Sequence, residues 1–247
     1  MTRKPNTRQI IAMGGGGFGT EPRNPRLDLY ILSQSKNPRP KICFVPTASG
    51  DSLDYVRRFH EAFKKHACEP SDLCLFRRDA RDPAKHLLDQ EIIYVGGGST
   101  FNLLALWRLH RIDKTMRTAW QRGTILCGVS AGMICWFDCC ITDSFGPLAT
   151  LDDGLGLLPG SACPHFNGEA NRRPVYHEAV RKGFPAGLAA DDGAAIHFVG
   201  RKIFRCVSSR PASHAYRIAR VKGKVVEETL ATTFLDSQGR IFSTNDD

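Results

Sequence analysis

Short, uninterrupted apolar runs alternate along this chain with longer stretches whose apolar positions recur every three to four residues. The runs Gln9–Met13, Lys41–Val45, Leu73–Phe76, Glu91–Val95 and Thr124–Val129 predict strands. Helical periodicity covers Arg26–Ser35, Leu53–Ala67, Pro83–Leu88, Asn102–Leu109 and Ile112–Gln121; Val56, Phe59, Phe63 and Ala67 mark the buried stripe of the second. A strand without polar alternation is buried on both faces. Short links between the units then predict an α/β three-layer sandwich, a mostly parallel central sheet covered by helices on each side. After Asp143 the texture changes. Ser144–Gly160 reads as loop, Arg173–Lys182 as helix, and Ala194–Val199, Lys202–Val207, Ala215–Val221 and Lys224–Leu230 as strands. Tight turns at Gly200-Arg201 and Lys222-Gly223 predict a C-terminal antiparallel β extension over about residues 194–235. The chain, residues 1–247, is expected to be a single domain.

One junction in this pattern carries chemistry. In Gly128-Val129-Ser130-Ala131-Gly132 an apolar strand runs straight into a G-x-S-x-G turn. That is the nucleophile elbow, a strand-to-helix turn too sharp for side chains at its glycines, which lifts the Ser130 hydroxyl off the carboxyl edge of the sheet. A serine that merely caps a helix is the plain alternative. A nucleophilic serine needs a base, a group to orient the base, and donors for the oxyanion. His165, after Pro164 at a strand-to-loop junction, is the base candidate. Asp191 and Asp192 close a short apolar strand before Gly193, and either could orient the imidazole; a solvated Asp-Asp-Gly turn is the alternative. The oxyanion donors are expected to be the Ala131 amide and the amide of Gly97 or Gly98. Gly14–Gly19 matches G-x-G-x-x-G, but Pro22 and Pro25 intervene where a dinucleotide-binding helix should open, so a loop lining the site is the better reading.

Composition narrows the classes. Apolar residues make up 42% and charged residues 24% of 247, as in an ordinary globular protein. No apolar run reaches the length of a membrane span, and the basic start Met1–Arg8 leads into no secretory core, so a cytoplasmic protein is expected. Asn245–Asp247 is expected to fray. The nine cysteines lack framework or zinc spacing, and no metal or organic cofactor is expected. The net charge of +9 is scattered in ones and twos with no nucleic-acid motif, which argues against a nucleic-acid module and leaves a field that suits acidic small substrates or serves only solubility.

Val95-Gly96-Gly97-Gly98-Ser99-Thr100-Phe101-Asn102-Leu103-Leu104, the elbow, and Cys163-Pro164-His165-Phe166 together resemble the aspartyl dipeptidase (peptidase E) and cyanophycinase family of serine peptidases, over roughly residues 8–210. The resemblance implies a class I glutamine-amidotransferase-like fold, with Ser130 as nucleophile, His165 as base and Asp192 in the place of the family's acid. It also matches Asp143 to an acidic position near the active site. Relatives favour an N-terminal aspartate, whose carboxylate Arg172 or Arg173 would suit. The expected partner is a short peptide substrate; a second copy of the chain is allowed, nucleic acid and membrane are not. A β-aspartyl isopeptidase and a non-catalytic module binding small acidic ligands are the rival readings.

Overall fold

The computed structural model describes residues 8–241, so the basic start (residues 1–7) and Asn245–Asp247 lie outside the described residues. Strands β1 (Gln9–Met13), β2 (Lys41–Val45), β3 (Glu69–Asp72), β4 (Ile92–Val95) and β5 (Ile125–Val129) alternate with α1 (Arg26–Ser33), α2 (Leu53–Phe63), α3 (Pro83–Leu88), α4 (Thr100–Leu109) and α5 (Ile112–Arg122). The five strands pair in parallel in the order β1-β5-β4-β2-β3. Ile10–Met13 and Ile92–Val95 are fully buried, as unbroken apolar runs require.

Helix boundaries follow local chemistry. Ser52 accepts the Tyr55 N–H at the start of α2, Ser99 accepts the Asn102 N–H at the start of α4, and Asp82 caps α3 with Pro83 in its first turn. The stripe of α2 packs Phe59 and Phe63 with Phe18, Phe44 and Tyr94 in one apolar cluster with α1. On the other face of the sheet, α4 and α5 bury Leu103, Trp107, Met116 and Trp120.

The β3 strand lies four residues earlier than the apolar pattern predicts. Glu69-Pro70-Ser71-Asp72 is a short edge strand, where a proline is tolerated. Leu73 and Leu75 are buried but beyond it, and only the Leu73 N–H, donated to Phe44 O, prolongs the pairing.

A second sheet departs further from expectation. Directly after the elbow, α6 (Ala131–Ile134) is a single turn, and β6 (Phe137–Thr142) follows at once. With β7 (Ala149–Leu151), β8 (Leu158–Cys163) and β9 (Gly187–Ala190) it forms a mixed sheet, backed by α7 (Arg172–Arg181). Pro159 and Gly160 inside β8 and the exposed Asp138 in β6 hide these strands from a hydropathy pattern.

The C-terminal strands do not stay together. The hairpin β10 (Ala194–Val199) with β11 (Lys202–Ser208) joins the first sheet, where β10 runs antiparallel to β1. The hairpin β12 (Ala215–Val221) with β13 (Lys224–Leu230) extends the second sheet through β9, and β14 (Thr232–Phe234) returns to β11. The complete sheets are β14-β11-β10-β1-β5-β4-β2-β3 and β13-β12-β9-β8-β6-β7. Both turns are where the sequence puts them; which sheet each hairpin joins depends on partners distant in the chain. No helix among the described residues is long and apolar enough to cross a membrane.

Candidate active site

Ser130 sits at φ 57° and ψ −113°, a backbone region that side-chain-bearing residues rarely occupy. The turn is sterically tight. A Cβ on Gly132 would overlap the Val95 carbonyl, 2.8 Å from its carbon, so the residue two positions after the serine must be glycine. His165 is also at positive φ, 52°. Such strain costs about 1–3 kcal/mol per residue and persists only where the surroundings enforce it.

Those surroundings are the carbonyls of Met13, Gly14 and Gly15, beyond and at the end of β1. Met13 O accepts the Ser130 N–H (3.1 Å), Gly14 O the His165 N–H (3.2 Å), and Gly15 O the Gly193 N–H (3.1 Å). Three consecutive acceptors thereby gather the end of β5, the end of β8 and the turn between β9 and β10. Glycine is needed here because a Cβ on Gly15 would lie 2.8 Å from Asp192 Cγ and 3.0 Å from His165 Nδ1. The glycine run thus lines the site through its carbonyls, and no helix opens from it until Arg26.

His165 Nδ1 and Asp192 Oδ1 are 2.6 Å apart. That hydrogen bond, with the His165, Arg210 and Arg172 charges, holds the Asp192 carboxyl below the usual carboxylate range. An ionised Asp192 only accepts, so Nδ1 carries the proton and Nε2 is the basic nitrogen. No hydrogen bond joins Ser130 Oγ to the imidazole among the described residues; such contacts commonly tighten when substrate arrives. Asn167 accepts the Asp192 N–H (2.9 Å) and Ser213 donates to its carbonyl (2.6 Å), two supports the sequence did not signal. Asp191 faces other partners: its Oδ2 accepts from the His214 N–H (2.9 Å) and the Tyr216 hydroxyl (3.0 Å), while burial raises its carboxyl.

Gly97 lies against the serine, where an added Cβ would be 3.2 Å from Ser130 Cβ. Its N–H points to the hydroxyl of the half-buried Tyr55 at 3.5 Å, a residue that hydropathy marked only as part of a helix. The N–H groups of Gly98 and Ala131 donate to no acceptor among the described residues. The single turn of α6 makes its dipole small, so these are individual amides and not a helix-terminal field.

The two candidate arginines part company. Arg172 is 2% exposed, with Nε donating to Glu169 (2.7 Å), Nη2 3.4 Å from Asp143, and Nη1 toward Ile141 O. Glu169 and Asp143 are about half exposed, so this buried cation is reached from solvent through its carboxylates. Arg173 does not join that cluster. It pairs with Glu227 on β13, which also bonds His177 at 2.8 Å, and lies over the rings of Phe166 (4.4 Å) and Tyr216 (4.9 Å). It ties α7 to the β12–β13 hairpin.

An elbow serine, a carboxylate-backed imidazole and amides without an acceptor among the described residues are the parts that acyl transfer to a serine requires. Comparison with known proteins makes this specific. Residues 10–206 match the model of peptidase family S51, and the chain belongs to that family. It is 49% identical to the uncharacterized peptidase YgaJ of Bacillus subtilis (strain 168) over 229 residues, 92% of this chain and 99% of that protein. A peptidase E from Citrobacter koseri is 34% identical over 99 residues, 39% of this chain and 42% of that one. In fold, the crystal structure of a peptidase from an acI-B1 Actinobacterium superposes with a TM-score of 0.65 at 17% identity, covering 93% of this chain and 96% of that one.

Proposed function

We propose that this peptidase is a serine-type dipeptidase that removes an N-terminal aspartate from short peptides through an acyl-enzyme. The observation that carries the reading is the gathering of Ser130, His165 and the Asp192–Gly193 turn on three consecutive carbonyls, with His165 bonded to Asp192. Ser130 Oγ attacks the carbonyl carbon of the scissile bond and its proton passes to His165 Nε2. Asp192 stabilises the imidazolium and keeps its tautomer. The oxyanion lies between the amides of Ala131 and Gly98, while Tyr55 holds the adjacent Gly97 peptide. The C–N bond breaks as His165 returns the proton to the departing amine. Water then gives a proton to His165 and attacks the ester; as the C–Oγ bond breaks, His165 returns that proton to Ser130 Oγ, which frees the acid and restores the serine.

Arg172 takes the aspartate side chain, which displaces Asp143 from its long 3.4 Å contact. A bidentate guanidinium–carboxylate pair on a nearly buried arginine supplies both charge and orientation. The chain works as one unit on the amidotransferase-like plan, since the site draws on both sheets. The test is hydrolysis of α-linked Asp-X dipeptides by wild type and Ser130→Ala, with mass-spectrometric capture of a serine-directed acylating reagent. Wild type should cleave and be labelled once, on Ser130; Ser130→Ala should do neither. Full activity in Ser130→Ala refutes the mechanism, and preference for β-Asp-Arg over every α-linked peptide refutes the substrate.

A further inference from the structure

Eight large apolar side chains are markedly exposed among the described residues, and most stand singly, as surface apolar residues often do. Phe101 and Phe145 differ. They are 45% and 52% exposed and their rings pack on one another, with centroids 4.9 Å apart. They also lie on the rim of the candidate site. The rim can be followed bond by bond. From Ser130 it passes to Gly97, against the serine, and along Gly98–Thr100 to Phe101, whose N–H donates to Ser144 Oγ at 3.2 Å. Thr142 Oγ1 holds Ser144 Oγ at 2.8 Å and meets Thr100 Oγ1 at 3.5 Å, which fixes the loop carrying Phe145 to the start of α4. Asp143 then reaches Arg172, Arg172 reaches Glu169, and the Glu169 N–H returns to His165 O at 3.1 Å. The arc from nucleophile to base is thus apolar in one part and charged in the next, where Arg172 lies between Asp143 and Glu169.

Resting on the reading above, we propose that Phe101 and Phe145 form the subsite for the residue following the aspartate, so that the substrate class is acidic–apolar dipeptides such as Asp-Leu and Asp-Phe. The spacing fits. Phe145 is two residues from Asp143, the exposed partner of Arg172, and two residues span at most about 7 Å. Adjacent side chains of a dipeptide are separated on the same scale. A carboxylate on Arg172 therefore carries the neighbouring side chain to the aromatic pair, where it removes apolar surface from water on both partners.

The experiment compares kcat/KM for Asp-Gly, Asp-Ala, Asp-Leu and Asp-Phe in wild type, Phe145→Ala, Phe101→Ala and Phe145→Leu. In wild type, Asp-Phe and Asp-Leu should exceed Asp-Gly by on the order of tenfold, mainly through KM. Both alanine variants should bring that ratio close to one, and Phe145→Leu should restore part of it, a result that loss of folding does not produce. Equal kcat/KM for the four peptides in wild type, or a ratio surviving both alanine substitutions, overturns this proposal alone. Cleavage of none of them overturns it together with the dipeptidase reading. A wild-type dimer in sedimentation that Phe145→Ala dissociates, with the peptide ratio unchanged, makes the pair a contact between copies and also overturns it.

Discussion

Replacing Gly98 by alanine tests the oxyanion assignment. Gly98 has φ +134°, and an added Cβ would sit 2.5 Å from the Ala48 carbonyl carbon and 2.9 Å from Ser49 N, with Ala48 O nearer still. Ordinary carbon contacts need roughly 3.5–4 Å, so something must move by about 1 Å. The turn opposite is well held. Ser49 N–H donates to Pro46 O, Gly50 N–H to Thr47 O, and the buried Trp107 Nε1–H to Thr47 Oγ1 at 3.2 Å. The displacement therefore falls on the Gly97–Gly98 peptide, whose surroundings are partly open. An oxyanion donor must lie within about 2.7–3.1 Å of the developing charge, and losing one costs about 10²–10³ in kcat, or roughly 3–4 kcal/mol. Because the interaction exists only in the transition state, kcat should fall while KM changes little. Backbone strain adds about 1–3 kcal/mol against folding, so a thermal melt must accompany the steady-state kinetics on an Asp-X dipeptide. A folded Gly98→Ala enzyme whose kcat stays within about threefold of wild type, a change of barely 0.7 kcal/mol, refutes the argument.

Asp192→Asn should keep the fold, as judged by circular dichroism, yet lose on the order of 10⁴ in kcat, because an amide can select the wrong imidazole tautomer; near-wild-type turnover sinks the orienting role. The Asp192 carboxyl is held low in the native state. Its stabilising contribution is therefore present above the ordinary value of 3.8 and disappears as pH falls through the depressed one, so the variant should show a shallower acid unfolding slope by urea titration. Asp28 works with the opposite sign. It is 3% exposed, its Oδ1 has no partner among the described residues, and burial pushes its carboxyl up to about 8. Between pH 4 and 8 the unfolded chain releases a proton that the native state keeps, so stability should decline by roughly 1.4 kcal/mol per pH unit in that window. Asp28→Asn should flatten that decline in chemical denaturation across pH 5 to 8.5; an identical slope in both proteins contradicts the neutral, buried state of Asp28.

Much of the first sheet is legible in one dimension because each of its buried strands is an unbroken apolar run, and the elbow because a serine between two close-packed glycines is constrained by its own neighbours. The second sheet is legible only in its last hairpin, β12 with β13, and not in β6, β7 and β8. Pro159, Gly160 and Asp138 weaken the apolar signal of strands whose burial comes from packing against α7 and the first sheet. Leu73 and Leu75 mislead in the other direction, being buried without belonging to a strand.

The site divides in the same way. Ser130, His165 and the adjacent aspartates can be read as candidates from residue type and local turn chemistry alone, since those depend on a few neighbouring residues. Tertiary structure decided that Asp192 meets the imidazole while Asp191 turns to Tyr216, and that Arg172 stays by Asp143 while Arg173 is taken by Glu227. It also gave the glycine run its task of collecting distant segments on successive carbonyls. Adjacent residues of nearly identical local character part ways here because their partners come from segments tens of residues away, and only the folded chain sets those distances.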